Sequence, residues 1–239
     1  MRSATCSLLI LSVKSLSPPL SITAKDNDGL ISNLKRAGII ESDRIERAMK
    51  SIDRGKYVRK DPYRDTPQIL GFNATISAPT VLEGRNESTK IHPQLLALNL
   101  VLDVGSGSGY LTACFAEMVG TSGKVVGIEH IPELVQLGEQ NVRNDRPEFL
   151  DSKRLSFVLG DGRQGYPDEA PHVGAAAPTT PKALIDQLKA PGRLFIPVGT
   201  DHQSIHQIDK DKDGNITDKD VMGVMYVPLT DASSQLRTF

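Results

Sequence analysis

Residues 100–109 read LVLDVGSGSG, and this stretch decides the fold. A mostly apolar run that ends in Asp103-Val104 is typical of a strand buried in a sheet. Three glycines at alternate positions follow, and the apolar residues of 110–119 recur at helical spacing. Glycine in such a turn lets the backbone adopt conformations that side chains forbid, and it lets a ligand approach closely. The stretch therefore predicts a strand, a ligand-binding turn and a helix.

Strands and helices alternate along the rest of the chain. The further predicted strands are 125–129, 155–159, a short 172–176 and 193–198, with helices at 132–142 and 181–188 between them. Alternation of this kind predicts a mostly parallel sheet covered by helices on both faces. The fold class is therefore α/β, a doubly wound sheet of the Rossmann-like type.

The flanking segments add elements to this sheet. The apolar residues between 30 and 49 predict two short helices joined by a turn at Gly38. A β-hairpin with arms around 205–208 and 221–227 is expected to close the chain. Prolines and glycines punctuate 61–79, which cannot be one regular element, and long irregular stretches of this kind are often functional.

Length and composition restrict the classes of function. A chain of 239 residues can bury one full core, so we expect a single domain at 29–239 after a disordered leader at 1–28. The net charge of -1 gives no basic face for binding nucleic acid. Two cysteines cannot form a disulfide framework or a zinc cluster, which favours a cytoplasmic protein, and the apolar run at 6–13 is too short to span a membrane. The apolar run at 6–13 leaves secretory or organellar targeting as an alternative.

The glycine turn distinguishes between two classes of cofactor. Dinucleotide-binding turns read GxGxxG and hold a pyrophosphate, whereas this turn reads DxGxGxG from Asp103 to Gly109. An acid before the first glycine would repel a phosphate but suits the cationic amino-acid end of S-adenosylmethionine. Glu129, at the end of the next predicted strand, can accept both hydrogen bonds of a ribose diol. Asp161-Gly162, after the third strand, is placed to contact the adenine amino group.

Several motifs together resemble one family of methyltransferases. They are residues 102–119, 123–130, 160–163, 174–178, 183–188 and 227–231, with a family-specific signature at 65–68 and 74–79. These stretches resemble protein-L-isoaspartate O-methyltransferases. The resemblance implies a seven-stranded methyltransferase fold in a monomer that acts on damaged proteins bearing L-isoaspartyl or D-aspartyl residues. It also implies methyl transfer from S-adenosylmethionine, release of S-adenosylhomocysteine, and repair of the methyl ester through a succinimide.

The same resemblance assigns the residues of the site. Ser77 matches the active-site serine. The cofactor-binding residues implied by the resemblance and by the glycine motif are Thr75, Ile76, Ala78, Asp103, Gly105, Ser106, Gly107, Gly109, Glu129, His130, Asp161, Gly162, Thr230 and Gln235, and no metal ligand is expected. Because an isoaspartyl carboxylate has a pKa near ~4, it is ionised at neutral pH and needs no general base. We expect the Ser77 hydroxyl to orient that carboxylate by hydrogen bonding.

Two departures from the family pattern and one further motif support alternatives. Residues 80–90 replace a helix that begins His-Met-His-Ala in the family, and the chain lacks Tyr-Asp-Ala-Ile before His172, which truncates a central strand. The alternative is therefore a catalytically impaired relative that binds S-adenosylmethionine. Residues 209–220 resemble a calcium-binding EF-hand loop, but position twelve is Asp220 rather than glutamate. We favour a hairpin turn there over a calcium site.

Overall fold

The computed structural model describes residues 22–79, 100–166, 171–173, 176–224, 229 and 232–236. Its helices are α1 (Asn27–Arg36), α2 (Asp43–Ser51), α3 (Tyr110–Val119), α4 (Pro132–Asp145), α5 (Pro147–Asp151), α6 (Lys182–Gln187) and α7 (Ala232–Leu236). Its strands are β1 (Gln68–Gly71), β2 (Ala74–Ile76), β3 (Leu100–Val104), β4 (Lys124–Glu129), β5 (Leu155–Leu159), β6 (Pro171–Val173), β7 (Gly192–Gly199), β8 (Gln203–Lys210) and β9 (Ile216–Val224). Among these residues, no helix is both long and apolar enough to cross a bilayer.

Seven strands form one sheet in the order β5-β4-β3-β6-β7-β8-β9. The first five of these run parallel, and β8 is antiparallel to both β7 and β9. This arrangement confirms the predicted doubly wound, mostly parallel sheet with a C-terminal hairpin. Because β3, β4 and β5 are parallel neighbours, the loops that follow them meet at one edge of the sheet.

Alternate residues of the central strands face opposite sides of the sheet, as strand geometry requires. Val101 and Val125 pack into the core on the side of α1, α2 and α3. Leu102 and Val126 pack into a second core with α6 and β7 on the other side. Helices therefore cover both faces of the sheet. The buried strand residues hold the loops that follow β3, β4 and β5 in fixed positions.

The central strand β6 is short, as the missing residues before His172 predict. It pairs with Leu102–Val104 of β3, but only His172 pairs with β7. An isolated bridge between Ala177 and Val198 resumes the contact with β7. The middle of the sheet therefore has fewer ladder hydrogen bonds than its neighbours. The replaced segment 80–90 lies outside the described residues.

The folded N-terminal part begins earlier than residue 29. Helix α1 starts at Asn27, and the Ile22 carbonyl accepts a hydrogen bond from the Asp65 backbone N–H at 2.9 Å. Thr23 also bridges Arg64. The expected leader boundary at residue 28 is therefore wrong for 22–28, and 1–21 lies outside the described residues. The two predicted helices and the turn at Gly38, with φ of +70°, are confirmed.

The segment 61–79 contains a β-hairpin that sequence patterns did not indicate. Strands β1 and β2 pair antiparallel, and Phe72 and Asn73 turn the chain with φ of 53° and 56°. The other hairpin, β8–β9, absorbs the acidic segment 209–220 into two strand ends and a turn. In that turn the Asp211 Oδ1 atom accepts hydrogen bonds from the Asp213 and Asn215 backbone N–H groups. The preferred interpretation as a hairpin turn is confirmed.

Candidate active site

The glycine turn lies between the end of β3 and the start of α3. Gly105, Gly107 and Gly109 have φ values of +81°, +52° and +80°, a region of backbone space that favours glycine. The Gly105 N–H donates to the Ile128 carbonyl at 2.9 Å, which holds the turn against β4. A Cβ atom on Gly107 would lie 3.4 Å from Leu70 Cδ1, so the β1–β2 hairpin packs directly over the turn.

Glu129 ends β4 and lies directly against the glycine turn. Its side chain is buried, and Oε2 accepts the Gly107 N–H at 3.2 Å. Oε1 accepts the N–H groups of His130 and Ile131 at 2.8 and 3.2 Å. A carboxylate has about four acceptor positions, so these contacts fix its orientation and leave it able to accept from a ligand.

Asp103 supplies a second, more deeply buried carboxyl group. It is 1% exposed, and its Oδ2 accepts the Thr112 hydroxyl at 2.6 Å. Burial raises the pKa of Asp103 to about 6, the Thr112 hydrogen bond opposes this rise, and the charge of Glu129 adds to it. Two acidic groups that repel each other at one strand edge form a site that suits a cationic ligand.

Asp161 and Gly162 follow β5 at the same edge. The Asp161 carboxylate accepts the backbone N–H of Arg163 at 3.0 Å and its Nη2 at 2.7 Å. Hydrogen bonding to Arg163 lowers the pKa of Asp161, so this acid is ionised at neutral pH. Gly162 packs so tightly that an added Cβ atom would lie 2.1 Å from Val104 Cγ1. The end of β5 is therefore held against the end of β3.

Ser77 follows strand β2 and is half-buried. Its carbonyl oxygen accepts a hydrogen bond from Arg54 Nη2 at 2.9 Å. The Arg54 guanidinium also lies over the Tyr110 ring, 5.3 Å from its centroid, and Tyr110 is the first residue of α3. Of the neighbours of Ser77, Ile76 and Ala78 are buried and Thr75 is exposed. Ser77 is thus joined to the end of the glycine turn through Arg54.

Gln235, on α7, connects three parts of the site. Its Oε1 lies 2.7 Å from His130 Nε2, and its Nε2 donates to the Phe72 carbonyl at 2.7 Å. Asn73 Nδ2 donates to the Gln235 carbonyl at 2.8 Å. The C-terminal helix therefore ties the β1–β2 hairpin to the residue after Glu129. Thr230 lies outside the described residues.

The glycine turn leaves polar atoms that a small ligand could contact. Ser106 Oγ is buried and has no hydrogen-bond partner among the described residues, although it belongs to the glycine turn. The turn also presents backbone rather than side chains at Gly105 and Gly107. A small polar ligand with hydroxyl and ammonium groups would supply partners for Ser106 Oγ, Glu129 and Asp103.

Sequence patterns missed three residues of this site. Arg54 lies in a charged surface-like stretch, so nothing in the pattern indicated its burial. Leu70 and Phe72 belong to the unpredicted hairpin. The irregular stretch at 61–79 and the family-specific signature within it are the sequence signals that point to the region of Leu70 and Phe72, whereas no signal points to Arg54.

Known proteins resemble this chain over most of its length. The family model for protein-L-isoaspartate(D-aspartate) O-methyltransferase matches residues 25–234. Protein-L-isoaspartate O-methyltransferase 1 of Arabidopsis thaliana is 48% identical over 223 residues, which cover 88% of this chain and 94% of that protein. The Caenorhabditis elegans protein-L-isoaspartate O-methyltransferase is 47% identical over 215 residues, covering 87% and 94%.

A solved structure adds a match in three dimensions. It is the crystal structure of a candidate protein-L-isoaspartate O-methyltransferase from Plasmodium falciparum in complex with S-adenosyl-L-homocysteine. The two folds superpose with a TM-score of 0.76 at 32% identity, over 87% of this chain and 99% of that chain.

Proposed function

Because the chain belongs to the protein-L-isoaspartate(D-aspartate) O-methyltransferase family, we propose that it methylates L-isoaspartyl and D-aspartyl carboxylates in damaged proteins. S-adenosylmethionine supplies an electrophilic methyl group, which is bonded to its sulfonium sulfur. S-adenosylhomocysteine is the product that leaves. The methyl ester then cyclises to a succinimide, whose hydrolysis returns some normal aspartate. The protein's own contribution is to bind both partners in line and to exclude competing geometries.

The donor is held by the residues around the glycine turn. Glu129, fixed by its three backbone hydrogen bonds, accepts the ribose hydroxyls. Asp103 faces the cationic amino-acid end of the donor, and the Ser106 hydroxyl supplies a further polar contact. Gly105, Gly107 and Gly109 keep the turn free of side chains that would block the donor. Asp161 and Gly162 border the adenine.

The acceptor is positioned by the segment that follows β2. The Ser77 hydroxyl donates a hydrogen bond to one carboxylate oxygen, which leaves the other oxygen directed at the methyl group. Such a role requires no general base, since the acceptor carboxylate is already ionised at neutral pH. Thr75, Ile76 and Ala78, on either side of Ser77, flank the donor, and His130 and Gln235, which contact each other, also border it. We also propose a donor contact for Thr230, which lies outside the described residues.

A series of contacts from the acceptor segment to Glu129 gives the proposal its most direct support. The hairpin that leads to Ser77 packs through Leu70 onto Gly107, and Gly107 donates to Glu129 at 3.2 Å. The acceptor segment, the glycine turn and the ribose-binding acid are therefore in consecutive contact. We also propose that the protein acts as a monomer in the cytoplasm, and that its partners are damaged proteins and peptides rather than nucleic acid or a membrane.

A paired-peptide assay tests this function. The purified protein is incubated with S-adenosylmethionine labelled in its methyl group and with an isoaspartyl peptide or its aspartyl twin. We expect base-labile methyl incorporation into the isoaspartyl peptide alone. The impaired-relative alternative predicts binding of S-adenosylhomocysteine by calorimetry without methyl incorporation into either peptide.

A further inference from the structure

Arg54 is a buried cation whose burial the fold alone does not explain. Its side chain is 0% exposed, and its Nε and Nη1 atoms have no hydrogen-bond partner among the described residues. Burial lowers the pKa of the Arg54 guanidinium, with the charge of Asp65 opposing that change, yet an arginine remains protonated under physiological conditions. A buried cation with unpaired N–H groups destabilises a fold relative to a well-packed apolar side chain.

The surroundings hold Arg54 in a single position. Its backbone N–H donates to Asn27 Oδ1 at 3.2 Å, and Asn27 Nδ2 in turn donates to the carbonyls of Met49 and Ile52. Tyr57, three residues later, packs edge-on against Tyr110 with 5.5 Å between ring centroids. The start of the Arg54 side chain is therefore anchored to α1 and α2, while the guanidinium reaches the start of α3.

Among the described residues, the guanidinium makes one direct hydrogen bond, and it is to the residue that carries the active-site hydroxyl. Nη2 donates to the Ser77 carbonyl at 2.9 Å while the cation lies over the Tyr110 ring. Holding the Ser77 carbonyl restrains the peptide plane, and with it the position of the Cα and Cβ atoms from which the Ser77 hydroxyl projects. Because Tyr110 follows Gly109, the same contact sets the Ser77 segment relative to the donor turn.

We propose that Arg54 is a positioning residue that acts through Ser77: it holds the Ser77 carbonyl and thereby directs the Ser77 hydroxyl at the acceptor carboxylate. The inference rests on the role of Ser77 proposed above. It accounts for a desolvated cation at this place, since misplacing a reacting group by about 1 Å can slow an enzyme about 100-fold. Among the described residues, no hydrogen bond joins Arg54 to the residues assigned to the donor, so donor affinity should depend on Arg54 much less than kcat does.

Kinetics of single and double variants test this role. We expect Arg54→Met to lower kcat for the isoaspartyl peptide about 10- to 100-fold, while the dissociation constant for S-adenosylhomocysteine changes less than about threefold. In a Ser77→Ala background, Arg54→Met should lower kcat no more than about threefold further, because the hydroxyl that it orients is gone. A merely structural arginine would lower kcat by the same factor in both backgrounds.

Arg146 provides the matched control. Its Nη2 donates to the Ser51 carbonyl at 2.6 Å, and its guanidinium lies 5.9 Å from the Phe149 ring centroid, so it makes the same two kinds of contact away from Ser77. Arg146→Met should lower the melting temperature but leave kcat within about twofold of the wild type in protein that is folded at the assay temperature. Should Arg54→Met not fold, Arg54→Lys keeps the positive charge, and its loss of kcat should likewise be absent in the Ser77→Ala background.

The outcomes separate this inference from the function on which it rests. If Ser77→Ala leaves kcat unchanged, the proposed role of Ser77 is wrong and that of Arg54 with it. If Ser77→Ala slows methyl transfer but the Arg54 variants keep wild-type kcat, or lower it by equal factors in both backgrounds, only the role of Arg54 is refuted.

Discussion

Replacing Asp103 with asparagine is expected to stabilise the ligand-free protein at pH 8 and to weaken donor binding. Asp103 is 1% exposed, and its pKa is raised to about 6 from an ordinary 3.8. The folded protein therefore holds this proton more tightly than the unfolded chain does. The contribution of Asp103 to the free energy of unfolding is most favourable below pH 4 and declines as the pH rises through about 6.

The magnitude follows from the same pKa difference. A shift of about 2 units corresponds to about 3 kcal/mol by which the ionised carboxylate destabilises the fold at pH 8. Asparagine is neutral and can still accept the Thr112 hydroxyl, although that weaker bond contributes about 1 kcal/mol less. We therefore expect Asp103→Asn to raise the free energy of unfolding at pH 8 by about 2 kcal/mol, or roughly 4–8 °C in melting temperature for a chain of this size.

Urea unfolding of both proteins at pH 4.5 and pH 8 provides the assay. The stabilisation should be present at pH 8 and largely disappear at pH 4.5, where wild-type Asp103 is protonated in the folded state. If the free energies of unfolding of the two proteins differ by the same amount at both pH values, the pKa of Asp103 is not raised in the folded protein. Calorimetry adds an independent readout: near pH 6, S-adenosylmethionine should displace a proton from wild-type Asp103 on binding, and the asparagine variant should bind more weakly without proton release.

Four further predictions concern residues of the site and of the β8–β9 turn. Gly162→Ala should lower the free energy of unfolding by about 1–3 kcal/mol because its Cβ would lie 2.1 Å from Val104 Cγ1, whereas Gly223→Ala, which has open space, should change it by less than about 0.5 kcal/mol in the same urea titration. Gln235→Leu removes the contacts to His130 and the Phe72 carbonyl, so the KM for S-adenosylmethionine should rise about tenfold in steady-state kinetics; an unchanged KM would remove the C-terminal helix from the donor site. Asp211→Ala removes the hydrogen bonds that close the β8–β9 turn and should lower the melting temperature by a few degrees. Calcium titrated into the wild type should give no binding heat, and a calcium-dependent rise in melting temperature would restore the EF-hand interpretation.

Local patterns were sufficient to predict the elements that carry the donor site. The strand at 100–104 ends, and the helix at 110–119 begins, on either side of the glycine turn, as predicted. Both boundaries were predictable because apolar periodicity and glycine conformation depend only on neighbouring residues. The contact between Glu129 and Gly107 also followed from topology, since parallel strands bring their ends to one edge. The shortness of β6 was predictable because the chain lacks the Tyr-Asp-Ala-Ile that precedes this histidine in the family.

The acceptor side depends on contacts that local patterns do not encode. Strands β1 and β2 have no clear apolar alternation, and Ile69 of β1 is 77% exposed. Their turn has Phe72 and Asn73 at positive φ, where hairpin turns usually have Gly or an Asn-Gly pair. Arg54 is buried only because α1, α2, α3 and the Ser77 segment converge on it. Such burial of a charge is a property of the tertiary structure, and its position in the sequence resembles an ordinary surface arginine.

In the proposed site, the turn from Gly105 to Gly109 and the carboxylate of Glu129 bind the donor beside Ser77. A crystal structure of the protein with S-adenosylhomocysteine and an isoaspartyl peptide tests it most directly. We expect ribose hydroxyls within about 3.2 Å of the Glu129 carboxylate oxygens and the isoaspartyl carboxylate within hydrogen-bond distance of Ser77 Oγ. Density for the nucleoside away from Glu129, or a peptide carboxylate bound away from Ser77, would contradict it.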